Sequence, residues 1–121
     1  MAQGAMVVPT VRPLNSAERR LIAWLLETES NAAYREQLSR AHVVSTCGCG
    51  CPSIDLALGD SREKRSGGST ILAEANGRST EGALVGVMLH ERESELSELE
   101  VYCKDGYAGR FSLPKPEDLT R

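Results

Sequence analysis

Three of the four cysteines fall close together, at Cys47, Cys49 and Cys51 of the stretch Ser45-Thr46-Cys47-Gly48-Cys49-Gly50-Cys51-Pro52-Ser53. Thiolates are soft ligands suited to zinc and related ions, so the chemistry to weigh first is metal binding. Along an extended strand, at about 3.3 Å per residue, these side chains share one face with neighbours roughly 6–7 Å apart. Zinc with bonds of about 2.3 Å needs its thiolates within roughly 4 Å of each other. The spacing therefore admits a metal only if the segment is a turn. Gly48 and Gly50 could allow one, because glycine reaches positive φ without steric penalty.

Zinc sites usually pair two separate knuckles with ligands two to four residues apart. Here there is one group, with Cys103 the remaining thiol and His42 and His90 the conceivable nitrogen ligands. The competing reading is that free cysteines fill space as small buried hydrophobes. That reading is taken first: no metal and no cofactor, with Cys47, Cys49, Cys51 and Cys103 the ligand set of a structural zinc alternative. A disulfide between cysteines two apart is strained. The disulfide oxidoreductase pattern needs two intervening residues at a helix start, and here there is one.

The elements that must position this stretch follow from the rest of the chain. At 121 residues the chain is long enough for one domain, with an N-terminal arm over 1–13, a single domain over 14–113 and an extended tail over 114–121. Hydrophobic residues make up 40% but aromatics only 4%, so the core must be mainly aliphatic, with Trp24 the large exception. A net charge of −3 argues against a nucleic-acid partner. No apolar run of about 18 residues exists, which argues against a membrane span. The first residues lack the pattern of a secretory signal, and a cytoplasmic, reducing location with unpaired thiols is expected.

Asn15 with Glu18 three residues on reads as a capping box opening a helix over about 16–28. Its apolar face is Ala17, Leu21, Trp24, Leu25 and Thr28, with Trp24 as core anchor. A second, shorter helix is expected over about 32–40. The period then changes to alternation at 42–45, 54–58, 69–75, 82–90 and 96–103, read as strands. Asn76-Gly77 reads as a turn between two of them. The charged loop between Gly59 and Gly68 reads as a mobile, solvated tip, and 110–113 as a further edge strand.

Burying Val85, Val87 and Leu89 together with Leu99, Val101 and Cys103 fixes the final hairpin's register. Leu89 must face Leu99, Val87 must face Val101, and Val85 must face Cys103. The same register sets Tyr102 over Gly86 and makes His90 a surface partner of Glu98. The expected fold is α+β: two N-terminal helices on one face of a mostly antiparallel sheet of four to five strands. Asp55, Glu98, Glu100 and Tyr102 lie on the other face.

Two stretches carry a resemblance: Cys49-Gly50-Cys51-Pro52-Ser53-Ile54-Asp55-Leu56, and Leu96-Ser97-Glu98-Leu99-Glu100-Val101-Tyr102 followed by Leu113-Pro114-Lys115-Pro116-Glu117-Asp118-Leu119. With the helical start at 14–26, they resemble a group of small uncharacterised bacterial proteins that have no established activity, so the resemblance implies no catalytic residue. No pattern supports an enzyme: the histidines have no local companion, and no glycine-rich loop precedes a helix. The first expectation is a non-catalytic binding or interaction domain with an unknown protein partner or self-association, such as a dimer. The zinc protein is the alternative, and a toxin-neutralising protein a weaker one, drawn from size and build alone.

Overall fold

The computed structural model describes residues 7–106 and 109–121. The elements run β1 (Val7–Pro13), α1 (Ser16–Leu25), α2 (Ala32–Arg35), β2 (Ala41–Cys47), β3 (Ile54–Leu58), β4 (Thr70–Arg78), β5 (Leu84–Arg92), β6 (Glu95–Cys103) and β7 (Leu119–Thr120), with 3-10 turns at Glu29–Asn31, Glu36–Arg40 and Pro116–Asp118. The strands form one seven-stranded sheet in the order β1-β2-β3-β6-β5-β4-β7, antiparallel at every pairing. The α+β reading holds, but seven strands replace the four to five expected. The two missed strands are the outermost ones. β1 carries two prolines and β7 is two residues long, so neither shows a clean alternation.

The arm expected over 1–13 is, over residues 7–13, the strand β1; residues 1–6 lie outside the described part. The tail is docked. Leu119 is buried, Thr120 and Leu119 pair with Asn76 and Gly77, and Glu117 meets Arg20 at 2.6 Å.

Helix α1 begins as its sequence dictates. The Asn15 side chain accepts from the Glu18 N–H at 2.8 Å, and the Glu18 carboxylate accepts from the Asn15 N–H at 2.9 Å. Its buried face is rotated from the one expected, to Leu21, Ile22, Leu25 and Leu26. Ala17 is exposed, while Glu18 is buried because Arg12 forks both of its oxygens at 2.9 and 2.8 Å. Trp24 is half-buried at the rim of the core, with the Arg121 guanidinium 4.0 Å over its ring. The second helix is shorter than expected, breaking into 3-10 geometry at Glu36.

These helices lie on the face carrying Val43, Leu56, Val85, Val87, Leu89, Leu99 and Val101, and the two layers share one aliphatic core. Two amides pin the layers: Asn31 donates to the Leu72 carbonyl at 2.9 Å, and Gln37 bridges the Ser94 carbonyl and the Leu96 N–H.

The β5–β6 register is the one the apolar rows require, with Leu89 facing Leu99, Val87 facing Val101 and Val85 facing Cys103. Asn76-Gly77 is not a turn. Both residues continue β4, between β5 and β7, and Gly77 is needed because a Cβ there would collide with the Asp118 carbonyl. The chain reverses later, through Ser79 and Gly82, whose φ is +90°. Residues 110–113 add no strand: the Ser112 N–H and hydroxyl are held instead by the Glu81 carboxylate at 3.0 and 2.9 Å.

Candidate metal centre on the open face of the sheet

The cysteines lie in the loop that joins the antiparallel strands β2 and β3. A bulge in β2 decides where they point. Val43 pairs with Leu56 on the core face, but after a register shift Ser45 pairs with Asp55 on the opposite face and Thr46 with Ile54. Without that extra residue, Ala41, Val43, Ser45 and Cys47 would share the core face by simple alternation. The bulge turns Ser45 and Cys47 outward, away from the helices.

Beyond Cys47 the chain folds into a turn, with Gly50 at φ +95°. The sulfurs of Cys47, Cys49 and Cys51 consequently converge, all within 4.8 Å of one another, and those of Cys47 and Cys49 are 2.7 Å apart. The turn condition set by the spacing is met. The expectation that these thiols fill buried space is not: Cys49 is exposed, and Cys47 and Cys51 are half-buried. A tight glycine turn cannot enter the aliphatic core without stranding its backbone N–H and C=O groups, so it stays at the surface.

The turn's own backbone addresses the sulfurs. The Cys49 N–H points at the Cys47 sulfur at 3.5 Å, and the Cys51 N–H at the Cys49 sulfur at 3.4 Å. Amide dipoles so aimed favour negative charge on sulfur. Burial works against the Cys49 thiolate but is outweighed by hydrogen bonds from Cys47 and Cys51, so its pKa falls below the ordinary thiol value. Burial pushes Cys47 up to about 12, with its hydrogen bond to Cys49 holding the proton in place. Of the two shifted thiols, Cys49 is therefore the one whose charged form the turn favours. The Arg110 side chain lies against Gly50, where a Cβ would sit 3.4 Å from its Cγ, and adds positive charge beside the turn.

Tetrahedral zinc places sulfurs roughly 3.8 Å apart for bonds of about 2.3 Å. Cys47 and Cys49 are closer than that, at 2.7 Å, and all three sulfurs lie within 4.8 Å of one another, so side-chain rotations would be needed to set the three around such an ion. Cys103 is not part of the cluster. Its thiol donates to the Asp105 carboxylate at 3.0 Å, although it lines the same groove. Neither histidine approaches as a ligand: the His42 Nε2 is 2.7 Å from the Ser61 carbonyl, and the His90 Nε2 is 2.9 Å from Glu100.

The groove has a volume of about 490 Å³ and runs from the cysteine turn across the open face. Tyr102, Val7 and Phe111 give it apolar walls, and Asp55, Glu98, Glu100 and Lys64 give it a charged end. Lys64 overturns the expected solvated tip. Its ammonium donates to Asp55 at 2.8 Å and lies 3.8 Å from Glu98, while Arg65 pairs with Glu93 and Glu95, so the β3–β4 connection folds over the sheet. Opposite charges on the face beneath draw it down. His90 does stand opposite Glu98 in register, but it is buried and bonds diagonally to Glu100, because Glu98 is shared by Lys64 and Arg92.

Sequence reasoning missed Ser53. Its hydroxyl accepts from the Val101 N–H at 2.8 Å and donates to the Val101 carbonyl at 3.1 Å, copying a strand pairing and tying the cysteine turn to β6. A serine after Pro52, where the chain cannot offer a proline N–H, is the only signal of it. Among the described residues, no helix is long and apolar enough to cross a membrane. Compared with known protein families, curated proteins and solved structures, the chain matches none of them.

Proposed function

We propose that the protein binds one thiophilic divalent ion, zinc in the first instance, through Cys47, Cys49 and Cys51. The observation that supports this reading is the convergence of three sulfurs within 4.8 Å in an exposed turn. Three thiolates would hold the ion, and a fourth position would remain for an exchangeable ligand, as in zinc sites with three protein ligands. The ion would also cross-link the end of β2 to the start of β3 and fix the loop between them.

Metal titration of reduced, untagged protein tests this. About one zinc per chain is expected. Structural zinc binding of about 10–16 kcal/mol, spread over four ligands, gives roughly 3 kcal/mol for each, so Cys49→Ser should weaken binding by about a hundredfold or more. Cys103→Ser should leave it unchanged. Equal affinity in wild type and Cys49→Ser would refute the assignment.

The interaction domain expected from composition keeps one specific support. Val7, Val8 and Val11 are exposed on the edge strand β1. Pro9 and Pro13 limit how far another strand could pair there. Sedimentation of wild type and Val11→Lys checks it: a dimer that the lysine dissolves supports self-association, and a monomer in both refutes it.

A further inference from the structure

Resting on that metal reading, we infer that the groove beside the cysteines takes a neutral nitrogen heteroaromatic molecule, of the imidazole class, whose ring nitrogen completes the ion's coordination.

The cluster supplies three sulfurs, and Cys103 is turned to Asp105, so a tetrahedral ion keeps one position to fill. Cys47, Cys49 and Cys51 themselves line the groove, so that position opens into it. At about 490 Å³ the groove is in the size range of small-molecule sites. Its shape of chemistry is uneven. Next to the cysteines stand the walls of Tyr102 and Phe111, which favour a flat apolar body.

Charge selects the donor. Asp55, Glu98 and Glu100 line the groove with Lys64, while Arg92 reaches Glu98 from its edge and Arg110 lies beside the cysteine turn, so these side chains balance in charge. Three thiolates on a divalent ion leave a net negative charge at the open position. A carboxylate or second thiolate entering the groove would be repelled at short range, whereas a neutral imidazole-type nitrogen brings a lone pair and no charge. The bond formed is from that nitrogen to the metal, and a water leaves. No proton is transferred.

The test uses full-length protein loaded with one Co(II) per chain, whose visible d–d bands report the coordination sphere. Imidazole, 4-phenylimidazole and acetate are titrated in turn. Saturable band shifts with both imidazoles are expected, with 4-phenylimidazole about tenfold tighter because its phenyl ring is buried against the apolar walls. Phe111→Ala should erase most of that advantage while leaving Co(II) affinity intact. Acetate should produce no shift at concentrations where imidazole saturates. Unmoved bands with both imidazoles, acetate binding as well as imidazole, or loss of a sulfur-to-cobalt charge-transfer contribution in Cys103→Ser would overturn the inference while leaving metal binding in place. Failure to take up Co(II) at all would sink the metal reading as well as the inference.

Discussion

Gly86→Ala ties the sheet to the groove. Gly86 faces Tyr102 across β5 and β6, and a Cβ on it would run into the phenol ring that floors the groove. The ring is half-exposed and can swing away, but only by giving up its contact with the strand. Overpacking of this kind costs about 1–3 kcal/mol. An unfolding entropy of about 2.1 cal/mol/K per residue gives the 121 residues about 0.25 kcal/mol/K. A loss of ~2 kcal/mol then lowers the Tm of the metal-free protein by about 8 °C, read by calorimetry. The deciding comparison is the same substitution in Tyr102→Ala. With the ring gone, alanine is the better strand residue and should stabilise by roughly 0.5–1 kcal/mol, so the sign reverses. An unchanged Tm in the wild-type background, or an equal loss in both backgrounds, would refute the collision.

Other outcomes follow from named contacts. Hydrogen bonds from the Ser112 backbone N–H and hydroxyl hold the Glu81 carboxyl at a pKa of about 2, below its ordinary value of 4.5. A depressed carboxyl stabilises above its unfolded pKa and loses that contribution as pH falls through its folded one, so protection of the Ser112 amide from hydrogen exchange should decline between about pH 4.5 and 2. Glu81→Gln should weaken that protection already at neutral pH and flatten its acid dependence. Asn15→Ala removes one cap bond and should cost about 1 kcal/mol in urea unfolding. Glu18→Ala should cost more, about 2–3 kcal/mol, because it strips Arg12 of its buried partner as well.

Local rules made much of this fold legible. The capping box at Asn15 and Glu18 and the strand at 54–58 needed only neighbours in sequence. The β5–β6 register needed only the demand that two apolar rows be buried together. What escaped was decided by distant contacts. Gly77 looks like half of a turn until the Asp118 carbonyl is seen occupying the space its side chain would take. Lys64 looks like a solvated loop charge until Asp55 and Glu98 are seen beneath it. The edge strands carry prolines or too few residues to show a period. At the candidate site, the sequence supplied the three candidate ligands and the condition that they sit in a turn. Their direction came from an extra residue in β2, which nothing in Val43-Val44-Ser45 announces.

The most direct measurement is X-ray absorption at the zinc edge on reduced protein carrying one zinc per chain. Three sulfur scatterers at about 2.3 Å and one nitrogen or oxygen scatterer at about 2.0–2.1 Å are expected. A shell of nitrogen and oxygen alone, or one unchanged by Cys47→Ser, would contradict convergence of the three thiols on a metal.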